Sequence, residues 1–464
     1  MKKYDAIIIG GGGGLKLRPI ADMGKKIAIF EEKSLGGTCL NRGCIPSKML
    51  IHAADVAEEI QNAHRYNLSV SSSFDEKLFQ VDFEGLIKRV SDFVDSESQK
   101  IEAAYQKNPN IDFYPAHARF VSDKILEVGE EQITAEKIFI ATGSRPLIPN
   151  IEGLKETPFM TSAAFLRNAK QPKKLLVIGG GYIGVELGHF LGALGTEVHF
   201  LVRDRFLTHE DREIAAEFSQ EFCLKHHVSF GATPQKVSYN NGQFTVSYQS
   251  SNGEISSVEG DALLVATGVV PNSDQLSLEN TGITTNPLGF IQVNDHLQTS
   301  VPDVYALGDV IGEYLFRHSV NFQGEYLFKT LYQEPSNEPI HYSPMPHAVF
   351  SSPQVAGVGK TEEELLQEGK NYIAGKGYYK NSAMGDALRS EFGLVKLLFE
   401  KESRKLLGAH IVGKEASNMI HLLIVAMTMG ATLDDLLRTI YIHPALPEVV
   451  RNAARNANLL FAKN

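Results

Sequence analysis

Twice along the chain the apolar positions fall into the same order: a short apolar run, a knot of glycines, a stretch of helical periodicity and a second apolar run. The first instance is Tyr4-Asp5-Ala6-Ile7-Ile8-Ile9, then Gly10 to Gly14, a helical stretch to Met23, and Lys26-Ile27-Ala28-Ile29-Phe30-Glu31. The second is Leu175-Leu176-Val177-Ile178, then Gly179-Gly180-Gly181-Tyr182-Ile183-Gly184, a helix, and Thr196 to Arg203. Apolar runs alternating with helices predict parallel strands, so the chain reads as α/β with two Rossmann-like dinucleotide-binding units. Met419 to Met429 is apolar nearly all round and predicts a core helix, too short for the roughly 20 residues that cross a bilayer.

Glycines at a strand–helix turn let backbone approach a pyrophosphate at the helix N-terminus, and an acid ending the second strand can hold a ribose hydroxyl. In the first unit Gly10, Gly12 and Gly14 are the candidate cradle and Glu31 the acid, although Leu15 stands where the third fingerprint glycine belongs. In the second unit Gly179, Gly181 and Gly184 complete the fingerprint, and Arg203 and Arg205 follow the strand where an acid would bind NAD. Arginine there suits a 2′-phosphate. Two dinucleotide sites in one chain point to electron transfer.

Cys39 and Cys44 lie in Gly36-Gly37-Thr38-Cys39-Leu40-Asn41-Arg42-Gly43-Cys44-Ile45-Pro46-Ser47-Lys48. On a regular helix their Cα atoms would stand about 8.6 Å apart, beyond a disulfide's reach, so a working pair requires the backbone to bend between them. Gly43 permits that bend, and Pro46 suits the first turn of a helix running through Lys48, which puts Cys44 near a helix N-terminus where a thiolate is favoured.

The chain has 464 residues, only three cysteines and a net charge of −10 without a basic cluster. Length predicts about three domains. The charge argues against nucleic acid and anionic membrane, and the scarcity of cysteine together with an N-terminus free of a secretory-type apolar run predicts a soluble, cytoplasmic protein. Cys223 has no partner at useful spacing and reads as a small buried residue.

The cysteine motif, the second fingerprint, Ala141-Thr142-Gly143, Ala266-Thr267-Gly268, Tyr305-Ala306-Leu307-Gly308-Asp309 and His443-Pro444-Ala445-Leu446-Pro447-Glu448 together resemble the FAD-dependent pyridine nucleotide–disulfide oxidoreductases. Within that family the resemblance is to dihydrolipoamide dehydrogenase and its relative mycothione reductase, and it runs from about Tyr4 to about Asn456. It implies an FAD domain over residues 1–150 and 272–343, an inserted NAD(P) domain over 151–271, and an α+β dimerisation domain over 344–464.

The resemblance also implies roles. Cys44 is the thiol beside the flavin, Cys39 the one that meets a small disulfide or dithiol, and His443, oriented by Glu448, the acid–base contributed from the partner of a homodimer. Gly37, Thr38, Ala118, Thr142, Gly143 and Asp309 join the FAD contacts, Lys48 pairs with Glu186 beside the flavin, and Gly268 joins the nicotinamide side. The nicotinamide signals conflict, because Gly184 is common in NAD enzymes whereas Arg203 resembles the NADP-using reductases. The arginine carries more weight, since a 2′-phosphate needs a cation, and NADPH is expected over NADH.

The expected activity is an FAD-dependent NAD(P)H:disulfide oxidoreductase of the dihydrolipoamide dehydrogenase type. A lipoyl domain of a 2-oxo-acid dehydrogenase complex is a further partner this implies. The alternatives are an NADPH-dependent reductase of another small disulfide, mycothione- or glutathione-reductase-like, and a non-catalytic flavin-binding or assembly component. The last has no use for Cys39, Cys44 and His443. The absence of any cysteine after Cys223 disfavours mercuric reductase and the large thioredoxin reductases.

Overall fold

The computed structural model describes residues 1–68 and 79–463. The apolar runs of the first unit become four neighbouring parallel strands, Ile111–Tyr114, Ile27–Phe30, Lys2–Ile9 and Glu131–Ile140. The long last strand divides its outer edge. Its first half pairs antiparallel with Ile125–Val128, and its second half pairs parallel with Val304–Ala306, a strand that returns from far along the chain. Every residue of Ile27–Phe30 is buried, as the unbroken apolar run requires.

The second run builds its own parallel sheet, in the order His227–Phe230, Glu197–Val202, Lys174–Ile178 and Ala262–Val265. A three-stranded antiparallel sheet, Thr233–Asn240, Gln243–Gln249 and Ile255–Gly260, continues this unit. The chain enters and leaves it through the short strands Ser144–Pro146 and Val269–Pro271, which pair with each other. The last unit is a five-stranded antiparallel sheet from Pro346–Val349 to Leu406–Val412, backed by the helices Ala416–Thr428 and Glu448–Phe461.

Two expected elements differ. The helix after the first glycine knot is broken into a 3₁₀ turn, Gly13–Leu17, and a single α-turn, Pro19–Asp22. Glycines hold helix poorly, and Pro19 can only begin a new segment, so the two pieces do not merge. The helix Ala416–Thr428 is core on one face only: Met419, Ile420 and Leu423 are buried, while Val425 is 63% exposed and Met429, just past its end, 80% exposed.

The second and third units are bound by a buried ion cluster. Lys396, fully buried in the strand Leu394–Glu400, reaches both oxygens of Asp211 at 3.0 and 2.9 Å, Glu213 at 2.8 Å and Glu362 at 2.5 Å. Asp211 also caps the helix Arg212–Lys225 by accepting from the Glu213 and Ile214 amides. Burial pushes the Asp211 carboxyl up, and the Lys396 ammonium more than offsets this and holds it below the ordinary range.

Removing the cation strands the buried Asp211 carboxylate, so Lys396→Met is expected to lower stability by about 3–5 kcal/mol, read from the urea midpoint against wild type. Because the Asp211 and Glu213 pKa values are lowered on folding, their contribution is complete above the ordinary carboxylate pKa of about 4. It is lost as pH falls through their folded values, so the difference between the two proteins narrows in acid.

Candidate active site

The two cysteines are brought together by a helix break. Cys39 lies in the six-residue helix Gly37–Arg42, Gly43 leaves helical geometry at φ −143° and ψ −120°, and Cys44 opens the 18-residue helix Cys44–Gln61. A Cβ at position 43 would stand 2.9 Å from the Thr38 carbonyl oxygen, so the bend is as tight as a glycine allows. Both cysteines are free thiols here, Cys44 exposed and Cys39 half-buried.

Their protons are unequally held. The hydrogen bond that Cys39 donates brings the Cys44 pKa down to about 6; partial desolvation by the atoms packed around the sulfur opposes this, and the Lys48 ammonium assists it. The same hydrogen bond, with burial, pushes Cys39 up, partly offset by Arg317 and Lys48. Cys44 is the ready thiolate, and Cys39 keeps its proton until a base removes it.

Lys48 joins this centre to the second unit. Its Nζ lies 2.6 Å from Glu186 Oε2 and 4.7 Å from the centre of the Phe350 ring, while the Phe350 amide donates to Glu186 Oε1 at 3.0 Å. The expected Lys48–Glu186 pair is therefore in contact. Phe350 is its third member.

The first glycine knot fits a dinucleotide. A Cβ on Gly10, at φ +113°, would strike the Ala141 carbonyl oxygen at 2.2 Å, and Gly12 and Gly37 abut with space for no side chain between them. Gly14, not Leu15, makes the close approach to the first strand, since a Cβ there would meet Ile8 at 2.5 Å. Glu31 caps the turn by accepting from the Gly11 and Lys33 amides, both at 2.9 Å. Thr142 Oγ1 is buried with no partner among the described residues, next to Gly143 in the left-handed region. Asp309 is held by Ser144 Oγ at 2.6 Å, and burial pushes its carboxyl up. A cradle that side chains would fill, an orphaned hydroxyl and a partly buried carboxyl together suit FAD. Thr38 is exposed, and the Ala118 side chain is core.

The second knot repeats the first. A Cβ on Gly179, at φ +121°, would strike the Ala266 carbonyl oxygen at 2.2 Å; Gly181 is open, Gly184 packs on the Gly179 carbonyl, and Gly268 mirrors Gly143. Arg203 is exposed at the strand end. Arg205 Nη2 donates to the carbonyls of Thr208 at 2.9 Å and Glu210 at 3.4 Å, where the loop turns back beneath it, while its buried Nη1 has no partner among the described residues.

His443 and Glu448 meet as expected, Nδ1 lying 3.0 Å from Oε2. Glu448 also accepts from the Ala445 amide at 3.2 Å and from Arg451 at 2.7 Å. Burial raises its pKa, but these bonds together hold it below the ordinary range. The imidazole is 69% exposed within this chain. Ile440 and Ile442 beside it are also exposed.

A family model described as pyridine nucleotide-disulphide oxidoreductase matches residues 4–326, and one described as its dimerisation domain matches residues 345–454. Mycothione reductase of Mycobacterium tuberculosis is 36% identical over 470 residues, covering 98% of this chain and 99% of that protein. The mitochondrial dihydrolipoyl dehydrogenase of Dictyostelium discoideum is 32% identical over 472 residues, covering 98% and 94%. Among solved structures, the Cu(II) complex of the HOCl-induced flavoprotein disulfide reductase RclA from Escherichia coli superimposes with a TM-score of 0.84 at 28% identity, each chain covered in full at 100%.

Since the Cys39 hydrogen bond is the largest influence on Cys44, Cys39→Ala is expected to raise the Cys44 pKa from about 6 toward the ordinary thiol value near 8.5. The pH dependence of iodoacetamide labelling of Cys44 in the reduced protein reads this directly. A midpoint that stays near 6 would assign the lowering to Lys48 and the helix terminus instead.

Proposed function

The chain belongs to the pyridine nucleotide-disulphide oxidoreductase family, and we propose that within it the protein passes electrons between a nicotinamide nucleotide and a small disulfide or dithiol of the lipoamide type. The observation that carries this reading is the pair Cys39 and Cys44, hydrogen-bonded across the Gly43 break with unequal thiol acidity. The family is FAD-dependent, and FAD when bound supplies two-electron transfer between nicotinamide and the cysteines. We assign its binding to Gly10, Gly12, Gly14, Glu31, Gly37, Thr142, Gly143 and Asp309 in residues 1–150 and 272–343. The nicotinamide nucleotide is assigned to residues 151–271, and the pairing of subunits to 344–464.

In the reducing direction the reduced cysteines act in sequence. Cys39 loses its proton to the imidazole and attacks one sulfur of the substrate, forming a mixed disulfide while the first thiol leaves with a proton from the imidazolium. The Cys44 thiolate then attacks Cys39 Sγ, closing the Cys39–Cys44 disulfide and releasing the second sulfur as a thiolate, which takes its proton from water. Glu448 fixes the imidazole tautomer and steadies its charged form. The dimerisation domain indicates a homodimer, and we assign this role to the partner subunit's His443. The exposed His443 ring and the exposed side chains of Val425, Met429, Ile440 and Ile442 support that assignment.

A second reading, an NADPH-dependent reductase of another low-molecular-weight disulfide, is favoured by Arg203, a cation exposed where a 2′-phosphate would lie. Turnover of the purified flavoprotein with lipoamide and with other small disulfides, using NADH and NADPH in parallel, separates the two. No turnover with any disulfide would sink both.

His443→Ala is expected to leave flavin reduction by nicotinamide rapid and to slow exchange with the disulfide by about 100- to 10,000-fold, the scale of a lost acid–base group. Stopped-flow measurement of each half-reaction tells them apart. A variant slowed only in the nicotinamide step would remove His443 from the mechanism.

NADPH is expected to be preferred. Arg203→Ala should weaken its use by about 10- to 150-fold and leave NADH nearly unchanged, since a hydrogen bond to a charged group is worth about 1.5–3 kcal/mol. A wild-type kcat/KM higher for NADH than for NADPH overturns this assignment.

A further inference from the structure

The helix Arg317–Phe328 is laid against the first glycine knot. A Cβ on Gly13 would stand 2.3 Å from Val320 Cγ2, and one on Gly324 would stand 2.6 Å from Lys16 Cβ, so Val320 and Gly324 face the turn. Gly12, at the near end of that turn, abuts Gly37, the first residue of the short helix that carries Cys39. Arg317 lies one turn before Val320 on the same face, at the end closest to that helix, and Asn321 follows Arg317 by one turn.

Both side chains lack a partner. Arg317 is partly buried and makes no hydrogen bond or ion pair among the described residues. Asn321 Oδ1 is buried, again with no partner among them. Glu325, the acid on this side of the helix, is taken by Lys16 at 2.6 Å. A guanidinium withdrawn from water without an acid and a buried amide oxygen without a donor are both costly. The two stand near the thiol assigned to the substrate, and the Arg317 charge reaches it, opposing the rise in the Cys39 pKa. Lys48, the other cation that acts on Cys39, is already paired with Glu186. Of the two, Arg317 is the one with no acid against it among the described residues.

We propose that Arg317 and Asn321 select the disulfide substrate, the guanidinium taking a carboxylate carried close to the sulfurs and the Asn321 oxygen accepting an N–H beside that carboxylate. The proposal rests on the reading of Cys39 as the thiol that exchanges with a small disulfide. It names the chemical class of that disulfide as an N-acylated amino-acid type, anionic at neutral pH. Guanidinium and carboxylate match as a bidentate pair, which orients the substrate as well as attracting it. An anionic disulfide held there meets Cys39 with its sulfur in place, and a cationic one is repelled from the same position.

The test uses the FAD-loaded dimer and small disulfides that differ in charge: N,N′-diacetylcystine and dithiodipropionate, both anionic, bis(hydroxyethyl) disulfide, neutral, and cystamine, cationic. The wild-type kcat/KM is expected to fall in that order. Arg317→Met should lower kcat/KM for the anionic disulfides by about 10- to 100-fold, the scale of a lost bond between charged groups, and change that for the neutral one by less than about threefold. Arg317→Lys should restore most of the anionic preference, and Arg317→Gln repeats the measurement should Arg317→Met not fold. Asn321→Leu should cost about 2- to 10-fold with N,N′-diacetylcystine, which carries the N–H, and leave dithiodipropionate, which lacks it, unaffected. Unchanged flavin reduction by nicotinamide shows that the variants are intact.

A fall of the same size with every disulfide in Arg317→Met and Arg317→Gln would make the guanidinium a partner of Cys39 rather than of the substrate and overturn the proposal. Wild-type protein that is indifferent to substrate charge, or that turns over lipoamide and none of these disulfides, would overturn it as well. Wild-type protein that reduces no disulfide at all would overturn the reading beneath it, a result distinct from activity without a charge preference.

Discussion

One carboxylate holds the three units in register. Glu186, on the fingerprint helix of the second unit, takes the Lys48 ammonium of the first on one oxygen and the Phe350 amide of the third on the other. The residue is 8% exposed, so the charge is costly to bury and tolerable only because both oxygens are partnered. Its position also matters to chemistry. The ammonium that neutralises Glu186 also lowers the Cys44 pKa, after the larger effect of the Cys39 hydrogen bond and against an opposing one from Glu186 itself, so the contact that registers the units also tunes the acidity of the thiol.

Around that contact the fold uses the same backbone device twice. Gly10 and Gly179 each present a bare Cα to the carbonyl oxygen of the alanine that follows a parallel strand, Ala141 and Ala266, at the same 2.2 Å from a notional Cβ. Where two chain segments pass this closely only glycine fits, and a ligand can lie on the exposed amides of the turn. The repetition is visible from spacing, which is why the two strand–glycine–helix units and the bend between Cys39 and Cys44 were legible in the sequence, whereas the Lys48–Glu186 contact was legible only through the family resemblance.

What was not legible is what depends on distant segments meeting. Glu210 and His347 are 137 residues apart, and Glu186 and Phe350 are 164 apart; neither pair belongs to a motif. Arg205 carried a clear charge signal, but the loop beneath it offers two carbonyls that only the fold places there. Met419 to Met429 read as core because its apolar residues cover nearly the whole circumference. One face lies exposed, and such a pattern cannot distinguish burial within a chain from burial between chains. The helical stretch after Gly10 reaches Asp22 but in two pieces, because the glycines that build the turn also weaken the helix.

The asymmetry of the thiols follows from where the chain breaks. Cys44 begins a long helix and takes the favourable field of its N-terminus, while Cys39 is the third residue of a six-residue helix too short to help it and donates its own hydrogen to its neighbour. One thiol is therefore ready at neutral pH and the other is not, although the two differ by five positions. A reaction needing both in turn requires a base that acts on Cys39 alone. The hydrogen-bonded imidazole of His443 offers its reactive edge to the outside of its own chain, on a surface with Ile440 and Ile442 exposed beside it. On our assignment of the acid–base role to the partner subunit's His443, the Cys39 proton of each subunit passes to the imidazole of the other, which couples assembly to chemistry through the protonation of a single sulfur.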